Sequence, residues 1–303
     1  NFKTGTLEKY GLGYNDLHTE FPRLIYCSIT GFGHTGPYAD RPAYDALIQA
    51  MGGVMSLTGE PEGEPMKVGV SIADLMAGMY GCVSILAAVR HQAATGEGQH
   101  CDVSMLDAHV AWLANQGMNY LATGANPTRL GNQHPNIVPY QVMPSADGYF
   151  VLSVGNDPTF ARFCETAGCK QLLEDARFAT AVERVRNRDI VTDSLNEITR
   201  QQPTAWWIER LEKNKVGCGA INALEDVFAD PQVQARDMVI EMEHPSTGGR
   251  PAKLIGSPIK LSETPVSYRR SPPTMGQHTA EVLGEYLNMS ADDVAGLRDR
   301  GVV

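Results

Sequence analysis

The segment Gly69-Val70-Ser71-Ile72-Ala73-Asp74-Leu75-Met76-Ala77-Gly78 sets one carboxylate, Asp74, at the start of the most apolar stretch in the chain. A carboxylate beside small residues, with helix-start amides nearby, can act as a nucleophile in a dry cleft, because carboxylates form covalent acyl intermediates. The same spacing has a second reading. With Ser71 as N-cap, Asp74 stands at the third helical position, where it returns a hydrogen bond to the cap and favours the helix dipole. Spacing alone leaves both open.

Other chemistry-bearing patterns are sparse. Gly31-x-Gly33-x-x-Gly36 follows an apolar run, but Pro37 and a turn-rich stretch come next where a dinucleotide site needs a helix, so the glycines are read as turning the chain. No Walker A, HExxH or GxSxG motif occurs. Cys27, Cys82, Cys101, Cys164, Cys169 and Cys218 form neither a CxxC pair nor a Cys/His cluster, which suggests no metal site, no disulfide framework and a reducing compartment. His134, in Gly131-Asn132-Gln133-His134-Pro135-Asn136, reads either as a titrating group or as a structural loop histidine.

These residues need elements to hold them. Pro22 to Ile29 is an apolar, β-rich run broken by Gly31, Gly33 and Gly36, which predicts a buried strand and a loop. Residues 43–57 look helical, with an interruption at Gly52-Gly53. Ile72 to Thr95 predicts one long, buried helix, ended by Gly96-Glu97-Gly98, with the next strand over residues 99–105. Strand, helix, strand is the grammar of a parallel α/β layer. A second helix is expected from Leu106 to Thr123, then a linker over 125–138. A hairpin is expected over 138–154 with its turn at Asp147-Gly148. Residues 157–235 pattern as amphipathic helix, 236–270 as extended chain, and the end as helices near 279–287 and 291–300. The expected organisation is therefore 1–105 as part of a large α/β domain, 106–137 as linker helix and loop, 138–235 as a small α+β domain, and 236–303 as a return segment.

The composition of the 303 residues bounds the rest. There are 25 Lys+Arg against 35 Asp+Glu, a net charge of −10, with 43% hydrophobic and 20% charged residues. That balance describes a globular protein and argues against a general nucleic-acid binder, which needs a basic face. The apolar run from Leu75 to Val89 is shorter than the about 20 residues a membrane span needs. Residues 1–5 show no leader pattern, and the chain is expected to begin part-way through a longer one.

Taken in order, several stretches resemble the class III CoA-transferases, which include formyl-CoA:oxalate, carnitine and succinyl-CoA-dependent dicarboxylate enzymes. They are Asn1-Phe2-x-x-Gly5-x-Leu7-x-Lys9-x-Gly11, Pro22 to Gly33, Pro42-Ala43-Tyr44-Asp45, Gly69 to Asp74, Thr95 to Gln99, and Pro272-Pro273-x-x-Gly276-Gln277-His278-Thr279. The resemblance implies a Rossmann-like large domain with a smaller α+β domain, in an interlocked homodimer. It also implies that roughly a hundred residues of that Rossmann-like half precede Asn1. Asp74 falls on the family's catalytic aspartate, which becomes an acyl anhydride and then an aspartyl-CoA thioester. Asn1, Phe2, Lys9 and Tyr10 fall on the segment lying along CoA, and Tyr44 and His134 on the substrate pocket. Thr4 stands where the family usually has proline. The 131–141 segment is similar to the branch acting on succinyl-CoA and dicarboxylates and replaces the glycine-rich flap of the formyl-CoA enzymes.

The implied substrates are an acyl-CoA and a free carboxylic acid, with no permanently bound cofactor, no nucleic acid and no membrane. The implied location is the cytoplasm, or the mitochondrial matrix in a eukaryote. Two other readings stay open. One is an α-methylacyl-CoA racemase-like isomerase, which pairs its aspartate with a histidine 30 residues earlier. Here that position is Tyr44, and a phenol with a pKa near 10 is a poor general base. The other is a non-catalytic homologue that binds acyl-CoA.

Overall fold

The computed structural model describes residues 2–303, in two compact units, one running to Ala220 and one from Ile221 to Val303.

The first unit begins with α1 (Tyr14–Glu20), β1 (Tyr26–Thr30), α2 (Asp45–Met51), α3 (Val54–Leu57), α4 (Ile72–Thr95) and β2 (His100–Ser104). β1 and β2 pair in parallel, from Tyr26 opposite His100 to Thr30 opposite Ser104, with α4 as the crossover between them. The turn out of α4 explains one glycine. A Cβ on Gly98 would lie 2.0 Å from the Leu24 carbonyl oxygen, so only glycine lets β2 enter beside β1. A small core of Phe32, Ile48, Ala73, Ala77, Val103 and Met105 holds α2 and α4 to these strands.

α4 is not the buried helix its apolarity predicts. Its small residues Ala73, Ala77, Gly81 and Ala88 are buried, and a Cβ on Gly81 would stand 3.0 Å from Ile29 Cδ1. Leu75, Met79, Val83 and Leu86, which recur at helical spacing on the other side, are 57 to 68% exposed. The small residues let the backbone approach the strands closely, and the large ones stand exposed on the opposite side. By length and composition alone α4 could cross a membrane.

The helix expected over 106–123 is two, α5 (Met105–Ala111) and α6 (Ala114–Thr123), broken where Ala114 takes a φ of 45°. Beyond the linker come β3 (Tyr140–Pro144) and β4 (Tyr149–Ser153). They form the hairpin, with Asp147 tying its turn to Ser145 and to the Thr204 amide. Helices α7 (Asp157–Ala167), α8 (Ala181–Arg186), α9 (Arg188–Thr199) and α10 (Thr204–Lys213) follow, then β5 (Gly217–Ala220), which adds to β4. Their core is aromatic: Phe150, Phe160, Phe163, Phe178 and Trp207 are all at most 1% exposed. Arg184 is buried among them because its fork is filled. It donates to the Val138 and Phe178 carbonyls and to Asp157, each at 2.9 Å, and stacks on Phe160.

The second unit contains α11 (Leu224–Ala229), α12 (Pro231–Ala235), the antiparallel pair β6 (Val239–Met242) and β7 (Ala252–Ile255), α13 (Thr279–Leu287) and α14 (Ala291–Asp299). Ser290 and Asp293 form a reciprocal cap on α14.

Candidate active site

The loop leaving β1, the start of α2 and the first turn of α4 meet around a cavity of about 760 Å³. Asp74, Tyr44 and Phe2 line it, as do Lys3, Gly31, Arg41, Asp45, Ala77, Gly78 and Met105. Gly31 is required here by close packing, since a Cβ on it would meet the Ala43 Cβ at 2.2 Å.

The first turn of α4 is held in a way the local sequence does not announce. Ser71 is the residue before the helix, yet its side chain accepts no capping bond, and Asp74 closes no capping box. Instead the Ala73 N–H donates to Asp45 Oδ1 at 2.9 Å, so the cap comes from α2. Asp45 is itself anchored. Gln49, fully buried one turn along α2, donates through Nε2 to Asp45 Oδ2 at 2.8 Å. The Gln49 Oε1 in turn accepts from the Val68 N–H at 2.8 Å. This chain of bonds ties the loop before α4 and the first turn of α4 to one buried amide.

The Asp74 carboxylate is thereby positioned without being consumed. Among the described residues it accepts no hydrogen bond and pairs with no cation, and it is open to the cavity. Partial burial pushes its pKa above the usual carboxylate range, and the nearby charge of Asp45 adds to the shift. An unpaired carboxylate with a raised pKa is more basic, and so a better nucleophile, than one held in a salt bridge.

The other residues named from sequence are dispersed. Tyr44 is 80% exposed beside the cavity. Phe2 is an exposed ring on the cavity wall. Lys9 and Tyr10 sit on the short 3₁₀ turn Glu8–Tyr10, exposed and off the cavity wall. Asn1 lies outside the described residues. His134 does not line the cavity either. Its Nδ1 accepts from the Asn136 N–H at 3.1 Å and its ring meets Tyr140 edge-on, while Arg188 holds the same segment through the His134 and Pro135 carbonyls.

Sequence reasoning missed Lys3, Arg41 and the Asp45–Gln49 pair. Asp45 carried a faint signal, as an acidic residue in a first helical turn, but its partner lies 28 residues away. No histidine lines the cavity. His109 is fully buried nearby, with neither ring nitrogen hydrogen-bonded, and burial pushes its pKa down. Among the described residues no cluster of His, Cys, Asp and Glu is arranged to hold a metal ion.

Comparison with known proteins shows the family. The profile of CoA-transferase family III matches residues 1–279. The chain is 47% identical over 285 residues to a succinate–glutarate CoA-transferase of Agrobacterium fabrum, covering 94% of this chain and 71% of that one. It is 37% identical over 303 residues to the succinyl-CoA:glutarate CoA-transferase of Homo sapiens, covering all of this chain and 69% of the human one. The crystal structure of a CAIB/BAIF family protein from Brucella suis superposes with a TM-score of 0.81 at 46% identity, over 94% of this chain and 74% of that one. With the family profile spanning residues 1–279 and these relatives, the chain belongs to CoA-transferase family III.

Proposed function

We propose that the enzyme moves CoA from succinyl-CoA to a short free dicarboxylate through covalent intermediates on Asp74. The observation that carries this reading is the Asp74 carboxylate itself, open to the cavity, unpaired, and fixed from behind by Asp45. The dicarboxylate preference draws on relatives named for succinate, glutarate and mesaconate.

The steps balance without redox or net proton change. Asp74 attacks the thioester carbonyl, the C–S bond breaks, and CoA leaves as a thiolate with the acyl group on Asp74 as a mixed anhydride. The thiolate then attacks the aspartyl carbonyl and expels the donor acid as its carboxylate, leaving aspartyl-CoA. The acceptor carboxylate attacks that thioester and releases the thiolate. Attack of the thiolate on the acceptor's acyl carbon yields the new thioester and returns Asp74 to its carboxylate. Retention of the nucleotide end of CoA turns each return of the thiolate into a local event. Phe2 and Lys3 line the cavity together with Asp74, and Lys9 and Tyr10 follow on the same N-terminal segment, which supports assigning that segment to the CoA arm. An isomerase would need a second acid/base group across the substrate, and no histidine lines the cavity.

The exposed apolar side of α4 supports assembly as a homodimer, in which a second chain covers Leu75, Met79, Val83 and Leu86. Six unpaired cysteines fit a reducing compartment such as cytoplasm or mitochondrial matrix. Formation of labelled glutaryl-CoA from succinyl-CoA and labelled free glutarate tests the activity. The purified enzyme should catalyse it and Asp74→Asn should lose it by orders of magnitude, whereas near-normal formation by the variant refutes the assignment.

A further inference from the structure

We infer that Arg41 is the specificity-determining residue of this site, its guanidinium receiving the second carboxylate of the diacid whose first carboxyl group reacts at Asp74. This rests on the dicarboxylate reading above and assigns it to a residue.

Two cations line the cavity, Lys3 and Arg41, and they differ in how they are held. Both are exposed, but Lys3 also lines the neighbouring cavity toward Ser28 and His34, and among the described residues only Arg41 of the two stacks on aromatic rings. Arg41 ends a turn in which its N–H donates to the Tyr38 carbonyl at 2.9 Å. Its guanidinium carbon lies 4.5 Å from the Tyr38 ring centre and 5.4 Å from that of Phe32. Phe32 is buried in the same small core as Ala73 and Ala77, the residues on either side of Asp74 along the inner face of α4. The guanidinium is therefore referenced, through one ring, to the helix that carries the carboxylate.

Its donors are also unspent. Arg129, Arg184 and Arg188 fill their forks with backbone carbonyls and side-chain oxygens, and Arg177, Arg186 and Arg270 pair with carboxylates. Among the described residues the Arg41 guanidinium has no hydrogen bond and no ion pair, although Asp40 and Asp45 are close in sequence. Ring stacking leaves the edge of the guanidinium plane free, and that edge presents the paired N–H groups that fit a carboxylate.

A phosphate of CoA offers similar chemistry. The carboxylates of a four- or five-carbon diacid are only a few bonds apart, and Asp74 and Arg41 line one cavity of about 760 Å³. The diphosphate of CoA lies at the far end of the pantetheine arm, away from the reacting carbonyl. The shared cavity favours the carboxylate.

Two matched pairs of substrates separate these sources: glutarate against valerate as acceptors, and succinyl-CoA against butyryl-CoA as donors. Within each pair the chain length is equal and only the distal carboxylate differs. Wild-type enzyme should favour the diacid of each pair. Arg41→Met should reduce that selectivity roughly ten- to hundredfold, the worth of a charge-assisted hydrogen-bonded pair, through loss of kcat/KM for the diacids. Arg41→Lys, which keeps the charge and loses the fork, should fall between. An Arg41→Met enzyme that retains wild-type selectivity overturns the inference. Equal losses on succinyl-CoA and butyryl-CoA overturn it too, and place Arg41 on a CoA phosphate. A wild-type enzyme indifferent within both pairs refutes the dicarboxylate reading itself, and this inference with it. A second measurement needs no variant: phenylglyoxal should label Arg41 in the wild-type protein, and glutarate should protect it where valerate does not. Equal protection by both acids, or by neither, contradicts the assignment.

Discussion

Asp45→Ala probes how this enzyme holds its reacting carboxylate. The substitution removes two acceptors at once, the one capping Ala73 and the one that Gln49 uses. Losing a helix cap costs about 1–2 kcal/mol. Stranding the buried Gln49 amide adds about 1–3 kcal/mol, tempered because Asp45 is only half-buried and water can replace part of the bond. A combined local cost of about 2–3 kcal/mol follows, which corresponds to roughly 30- to 150-fold faster hydrogen exchange at the Ala73 amide. Exchange mass spectrometry of peptides spanning residues 66–76 reads that amide, and steady-state transfer reads the consequence for Asp74. Asp45→Asn separates cap from charge, since its amide oxygen can still accept from Ala73. That variant should keep most of the protection at Ala73. It also removes the negative charge that helps raise the Asp74 pKa, so the acid limb of kcat/KM should move to lower pH. Unchanged exchange at Ala73 together with unchanged turnover in Asp45→Ala would refute the reasoning.

Three further outcomes are expected. The raised pKa of Asp74 means that the folded protein holds this proton more tightly than the unfolded chain does; the resulting stability is full below the ordinary carboxylate pKa and is lost as pH rises through the folded-state value. Asp74→Asn should therefore melt at or above the wild-type temperature at pH 7, with the difference vanishing in acid, and a variant that melts lower at pH 7 contradicts this. Arg184→Met leaves the Val138 and Phe178 carbonyls without their donor and Asp157 without its cation, and should destabilise the aromatic core by about 3 kcal/mol or more in a denaturant titration read by Trp207 fluorescence. Gly98→Ala forces a Cβ to within 2.0 Å of the Leu24 oxygen, and should cost about 1–3 kcal/mol and lower the yield of folded protein; an unaffected midpoint would contradict the close approach of the two strands.

Much of the frame was legible because it is written locally. The bounds of α4 follow from a continuous apolar run ended by Gly96-Glu97-Gly98, and the β3–β4 hairpin follows from alternation around Asp147-Gly148. Asp74 stood out because a lone carboxylate opens that run. Features set by distant partners did not show. The α4 cap comes from Asp45 across a loop, while Ser71, the residue favoured by local rules, is left idle. Arg41 gains its meaning from two rings, one of them in the core beneath α4. Apolarity likewise cannot say which side of a helix meets its own chain, so α4 read as buried although Leu75 and Leu86 face outward. β5 escaped notice for a different reason: Gly217-Cys218-Gly219-Ala220 has little intrinsic strand preference and is extended because β4 offers it an edge.

The central claim is that Asp74 carries the acyl group and then CoA. Enzyme mixed with succinyl-CoA, treated with hydroxylamine during turnover and digested should yield the peptide between Lys67 and Arg90 with a hydroxamate at Asp74, formed only when the thioester is present. A fully active enzyme whose Asp74 stays unmodified under these conditions, or whose label appears on another residue, would contradict the account.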